Sequence, residues 1–402
     1  MADGEHPEPS DAGDGEPVNP FAGMPMFAEM ARALQGQGPL NWDAARQFAL
    51  LGATEGRPET NVDPAVRIAY AELARIAALH VGDVTGADVT DDEPELVNRS
   101  QWAALTLDDY RPLLIDLATS LGQRPDAPGA TDATADPMMN MMAGLSSMMG
   151  PAMMGMSVGS MVGQLSRRVF GVHDLPIPRP HDRLLLVAAN IEQFATDWDI
   201  EIEQMRLWVL AHELTGRQLF GVPDVREGVA ALVRRHVSGF RPDPEALTES
   251  LGSMDILAGD DDPMAAFQQI FNDPEMLLGA VRSPEQLELQ PRLDAAVAAV
   301  VGYTDWVVDA VAARLVGGEA LRIAEAVRRQ RHEPSPDDMF VERLLGIRVG
   351  DDQVRRGKAF VQGVVDRVGE HELGVLIRRP GALPTPSEIE APGLWVARIT
   401  GE

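Results

Sequence analysis

The sequence contains no cysteine. Disulfides, thiolate metal sites and a cysteine nucleophile are therefore excluded, and any metal centre must draw on His, Asp or Glu. Lysine is nearly absent too: Lys358 is the only one among 34 basic residues, and the rest are arginine. Arginine codons are GC-rich and lysine codons AT-rich, so this imbalance points to a high-GC genome. Basic charge is short overall. The 62 acidic residues give a formal net charge of -28, which argues against nucleic acid as a partner, because a nucleic-acid face must neutralise phosphates. There is no internal repeat, no G-x-G-x-x-G and no phosphate loop ending in Gly-Lys-Ser/Thr. No basic residue precedes Arg32, whereas Asp3, Glu5, Glu8, Asp11, Asp14 and Glu16 crowd the start. A secretory signal is not expected there, and a cytoplasmic location is the default expectation.

What is present is a normal globular balance, 45% hydrophobic and 24% charged, in a chain long enough for a large core. The pattern predicts a mainly α protein with at most a few short strands. Residues 1–38 read as a disordered acidic tail, with Phe21–Leu34 a short helix candidate, and residues 39–402 read as one helical domain. Helical periodicity begins near Asn41-Trp42-Asp43. A long helix is predicted from Asp63 to about Val81, with Val66, Ile68, Ala69, Leu73, Ile76 and Leu79 as its apolar set. Another is predicted from about Arg99 to Leu121, and more over roughly 200–220, 225–237, 284–315, 319–331 and 351–368. Leu184–Val187 is the best strand candidate. Residues 122–136 read as a mobile loop. Asp260-Asp261-Asp262 lacks the spaced ligands of a calcium loop and reads as a solvated charge run.

Residues 137–166 carry no charge and are rich in Met, Gly, Ser and Ala. The stretch is long enough to span a bilayer. It is poor in Leu, Ile, Val and Phe, however, and Pro151 interrupts it. It is expected to be a flexible helical hairpin whose methionines fill a core, rather than a membrane span or a surface for apolar partners. Gly155, Gly159 and Gly163 fall four apart and share one helix face, which lets another helix approach closely.

The segment with chemical content is Asp199–Asp224, DIEIEQMRLWVLAHELTGRQLFGVPD. Asp199 is the expected N-cap, and Glu201 and Glu203 suit the positive end of the helix dipole. Met205, Trp208, His212, Thr215 and Leu219 recur every three or four residues, which puts His212 on the buried side beside Glu213. In an H-E-x-x-H helix two histidines four apart hold zinc, and the glutamate acts as general base on the bound water. Here Gly216 stands at the second histidine position. The structural alternative is that Glu213 pairs with Arg217 at i,i+4 and that His212 is a core histidine bonded to a backbone or carboxylate group.

More than this short run is matched. WVLAHELTGRQLFGVPDVREGV, GYTDWVVDAVAARL (Gly302–Leu315), AEAVRRQR (Ala324–Arg331), the run Glu342–Gly369 and LPTPSEIEAPGLWVARI (Leu383–Ile399) follow one another in an order that resembles the zincin-like metallopeptidases of high-GC bacteria. Some of those relatives are labelled as associated with deazaflavin-coenzyme biosynthesis. Upstream, GQLSRRVFG (Gly163–Gly171) and LLLVAANIEQFA (Leu184–Ala195) fit as well, so the resemblance spans roughly residues 40–400.

The resemblance implies zinc held by the two histidines of H-E-x-x-H and by an acidic residue just before a Gly-aromatic pair. His212 matches the first ligand and Glu213 the base. Gly216 and Val301, the residue before Gly302-Tyr303, match neither remaining ligand. The expectation is a zincin fold with an eroded metal site, zinc weak or absent, acting as a non-catalytic binding or scaffold protein for a protein or peptide partner. The alternative is a zinc-dependent peptidase or hydrolase with a rearranged site, in which His212 and Asp305 hold the metal and Glu213 is the base.

Overall fold

A computed structural model describes residues 38–90, 92–122, 137–241, 283–332, 342 and 344–401. The expectations for Phe21–Leu34, the loop at 123–136 and Asp260–Asp262 lie outside the described residues. Helices dominate: α1 Trp42–Thr54, α2 Pro64–Thr85, α3 Arg99–Asp109, α4 Arg111–Gly122, α5 Pro137–Leu165, α6 Ala188–Asp197, α7 Ile202–Phe220 and α8 Pro223–Ser238, followed by α9 Pro284–Leu315, α10 Ala320–His332, α11 Asp351–Val368, α12 Glu370–Leu376, α13 Pro386–Glu390 and α14 Pro392–Thr400. Two short strands, β1 Glu95–Val97 and β2 Leu185–Val187, pair in parallel with Leu96 opposite Leu186.

The helix at the centre of the site, α7, is buried on almost every side from Met205 to Gly216. It packs between α2 and α9, with α6 alongside. Its cap differs from the expected one. Asp199 adopts a positive φ of 52°, and Glu201 instead accepts the N–H groups of Glu203 and Gln204. The longest helix, α9, starts at a Ser283 capping box followed by Pro284, a residue suited to the first helical turn. It is also the one helix among the described residues that is long and apolar enough to cross a membrane, but 83% of its apolar window is buried inside the protein.

Helix α9 meets α11 at backbone distance. A Cβ on Gly357 would lie 2.0 Å from the Ala298 carbonyl oxygen, and one on Gly302 would lie 2.2 Å from the Gly357 carbonyl carbon. The glycine face of α5 does the same against α1: Cβ atoms on Gly155 and Gly159 would stand 2.2 Å from the carbonyl oxygens of Asn41 and Ala45. The stretch expected as a hairpin is one helix from Pro137 to Leu165 that continues through Pro151. Close approach to α1 anchors it there, and the Pro151 carbonyl accepts the Asn41 N–H at 2.8 Å.

Two further expectations are corrected. The span from Arg99 to Leu121 breaks at Tyr110, because Pro112 has no N–H to donate and its ring crowds the carbonyl four residues back. In α2 the buried face is Tyr70, Leu73, Ala74, Ala77, Ala78 and Val81, whereas Ile68, Ile76 and Leu79 are exposed. Alanine is small and carries little hydropathy contrast, so the larger aliphatics misled the assignment of the face.

Candidate metal centre

The segment joining α5 to β2 crosses α7 and is fixed from several sides. Val187 donates its N–H to the Phe170 carbonyl at 2.8 Å. Gly171 bridges Leu186, and the Trp102 indole N–H donates to the Gly171 carbonyl at 2.8 Å. Asp174 closes the turn by accepting the N–H groups of Phe170 and Gly171 at 2.6 and 2.8 Å. A segment held by this many bonds presents its side chains in fixed positions.

Glu213 is the largest of these anchors. Its carboxylate is fully buried and accepts the N–H groups of Val172 at 2.9 Å and His173 at 3.1 Å. Gly171 makes room for it: a Cβ there would lie 2.3 Å from Glu213 Cδ. His212 Nδ1 lies 3.2 Å from Glu213 Oε1. Burial by itself pushes the Glu213 pKa up, but the bond to His212, the neighbouring imidazoles and the Val172 N–H outweigh it and hold the carboxyl below its ordinary value. Asp174 goes the other way, raised by burial and by the charge of Glu213.

The expected partner of Glu213, Arg217, is elsewhere. Its guanidinium pairs with Asp182 at 2.8 Å and with Asp92. The i,i+4 geometry permits a Glu213–Arg217 pair, but Glu213 faces inward, where two backbone amides need an acceptor. His212 is buried, its Nδ1 lies beside the Glu213 carboxylate, and its ring is stacked on Trp208 at 5.6 Å.

Gly216 lies one turn beyond His212, and its missing side chain is accounted for. A Cβ on Gly216 would stand 2.6 Å from both Cβ and Cγ of His173 and 3.0 Å from Cδ2. The imidazole of His173 therefore fills the space in which a histidine at 216 would sit. It also stacks on Phe220 at 5.8 Å. Burial lowers its pKa to about 4, so the ring is neutral at pH 7.

His173, Asp174, His212, Gly216, Val301 and Asp305 all line one small cavity of about 20 Å³. The three positions that the resemblance assigns to zinc ligands, 212, 216 and 301, thus line one cavity. A profile of the zincin-like metallopeptidases matches residues 40–396. The chain belongs to the zincin-like metallopeptidase family. Among solved structures it is similar to one from Chloroflexus aurantiacus described as a "putative hydrolase with a novel fold", at 22% identity and a TM-score of 0.60, covering 90% of this chain and 99% of that one. At that identity the likeness concerns the fold. No curated protein matches the chain.

The zincin positions in this chain do not fit the zinc that the family implies. Gly216 offers no donor, its space is taken, and Val301 is apolar. Asp305 shares the cavity, but its carboxylate lies 3.9 Å from the Lys358 ammonium, a cation that competes with any metal there. The described group of residues whose donor atoms lie within 4.8 Å of one another is Asp174, His212 and Glu213. Sequence reading brought out His212, Glu213 and Asp305 and missed His173 and Asp174. Both lie just beyond the run Gly163–Gly171, after Val172. An adjacent His-Asp pair between a Gly and the prolines Pro176 and Pro178, in a chain with only 8 histidines, is the signal that marks them.

Proposed function

We propose that this zincin-like protein is a non-catalytic binding protein, in which the H-E helix serves packing rather than hydrolysis. The observation that carries this reading is the state of Glu213. A general base must reach the proton it removes, but both oxygens of Glu213 accept backbone or imidazole bonds inside the protein, and the residue has no exposed surface. The binding surface is the cleft of about 200 Å³ beside the small cavity, where α7, α9, α10 and α11 meet. Trp208, Val308 and the exposed Leu321 give it an apolar wall, and Asp305, Asp309, Glu325 and Asp351 outnumber Arg328 and Lys358 on it. A protein or peptide segment with an apolar side chain flanked by a basic residue fits that chemistry.

The test is turnover of an unstructured protein substrate and of mixed fluorogenic peptides, with zinc added, by the wild-type chain and by Glu213→Gln. Neither is expected to exceed the blank. Hydrolysis by the wild type that Glu213→Gln abolishes with the fold intact would overturn the reading. The second reading, a hydrolase with a rearranged site, is favoured by His212 and Asp305 lining one cavity. It requires that same hydrolysis.

A further inference from the structure

Three of the eight large aliphatic side chains left exposed among the described residues belong to one helix, α2: Ile68, Ile76 and Leu79. The inner face of α2 packs on α7 and α9, so these three point away from both. Ile68 and Leu79 are 62% and 65% exposed, more than the edge of a packed helix requires. At about 100° per residue, Ile68, Glu72, Arg75 and Leu79 fall within about 60° of one another around the axis, in line along the outer side. They are separated by four, three and four residues, the spacing of a seam between two paired helices.

The order along this seam is symmetric. The midpoint of Ile68 and Leu79 is also the midpoint of Glu72 and Arg75, between Leu73 and Ala74. A two-fold axis crossing α2 there sets Ile68 against Leu79 of the partner subunit and Glu72 against Arg75 of the partner subunit, and repeats both contacts by symmetry. Opposite charges thus meet in the antiparallel pair, whereas a parallel pair in register would set Glu72 against Glu72 and Arg75 against Arg75. Neither residue has an ion-pair partner among the described residues. Net charge also favours this face. Copies of a chain with a formal charge of -28 repel one another, but α2 is balanced, with Arg67 and Arg75 against Glu72 and Asp83.

We propose that the outer face of α2 is a docking surface for a second copy of this chain, the two helices lying antiparallel about that two-fold axis. Ile68, Ile76 and Leu79 supply the apolar contact, and two Glu72–Arg75 pairs fix the direction and register. An interface built on one helix pair lies at the small end of specific interfaces, so a micromolar, rapidly exchanging dimer is expected. The arrangement is closed, because both copies use the same face, and it stops at two chains. No residue of the cleft lies on α2, so the dimer stands apart from the reading of the cleft as a binding surface.

The test is sedimentation velocity with light scattering on the full chain, from about 1 μM to about 1 mM protein. The wild type is expected to pass from one chain to two as concentration rises, and to go no further. Leu79→Glu should weaken association at least about tenfold. Glu72→Arg and Arg75→Glu each set like charges against each other across the axis and should each weaken it at least about tenfold. Mixed together, those two variants place opposite charges at both contacts, so the mixture should associate as the wild type does. All three positions are exposed, and circular dichroism should show an unchanged helix content. A wild type that stays monomeric overturns the proposal, and this is the result expected if another protein or another part of the chain covers the face. Assemblies larger than two, a dimer that Leu79→Glu leaves intact, or a mixture that fails to associate overturn it as well. Glu213-dependent hydrolysis would overturn the non-catalytic reading and leave the dimer in place.

Discussion

Gly216→Ala separates a glycine kept for packing from a glycine that is merely tolerated. In an ordinary helix interior the change stabilises, because alanine is favoured by about 1 kcal/mol. Here the new Cβ would stand 2.6 Å from His173 Cβ and Cγ. Those atoms lie at the root of the side chain, so a rotamer change cannot move them clear. The His173 backbone cannot retreat either, since its N–H is bonded to Glu213 and its ring lies on Phe220. Overpacking of this kind costs about 1–3 kcal/mol, and the helix-propensity gain offsets part of it. The net expectation is a loss of about 1–2 kcal/mol, from the same two terms. In a His173→Gly background, which removes Cβ as well as Cγ, the clash is gone, and Gly216→Ala should become neutral or stabilising by up to about 1 kcal/mol. The cycle should therefore show a coupling of about 1–3 kcal/mol between 173 and 216. Denaturant midpoints followed by circular dichroism give all four values. If Gly216→Ala stabilises the wild-type chain as much as it stabilises the His173→Gly variant, His173 does not occupy the space at 216 and the argument fails.

Three other outcomes follow from the structure. Glu213→Ala should speed hydrogen exchange at the Val172 and His173 amides, which it holds at 2.9 and 3.1 Å; unchanged protection there would show that Glu213 is not the clamp. Gly357→Ala should cost about 3 kcal/mol or more and lower the melting temperature, because its Cβ would meet backbone on α9 and only a shift of the whole helix relieves it; a cost under about 1 kcal/mol would mean the helices are not in backbone contact. Glu388, despite burial that pushes its pKa up, is held below the ordinary glutamate value by Arg398 and the Thr385 N–H. Its folded pKa is depressed, so it contributes stability above about pH 4.3, and that contribution is lost as pH falls through the lower folded value. Glu388→Gln should flatten the acid limb of the stability curve below about pH 4.3 and lower stability at pH 7, and an unaltered acid limb would count against the pairing.

Much of the helical frame is legible in the sequence because it is written locally. The bounds of α9 and α11 are the predicted ones: Ser283-Pro284 starts the first, and Gly350 and Gly369 flank the second. The stripe Gly155, Gly159 and Gly163 announces a close helix contact, and the structure shows α1 as the partner. What stays hidden is set by distant contacts. Strand β1 has three residues, too few for alternation to show, and exists because β2 lies beside it. The two donors to Glu213 that matter are backbone amides 40 and 41 residues upstream, which no spacing within α7 reveals. His212 and Glu213 were recognisable because H-E belongs to one helix. His173 and Asp174 were not, because what makes them part of the site is the path of the chain across α7.

Gly216 and His173 are two halves of one arrangement. A histidine at 216 and the imidazole of His173 cannot both be present, since their first atoms would overlap. A helix histidine at 216 and the His173 side chain in its space are therefore mutually exclusive, and the arrangement present keeps an imidazole one turn from His212. The same loop path places the Val172 and His173 amides against Glu213, where they consume the lone pairs that a general base would use. The group that would activate a metal-bound water is thus committed to holding the loop. In this geometry hydrolysis of a peptide would require an unencumbered Glu213, and the path of the loop is what withholds it.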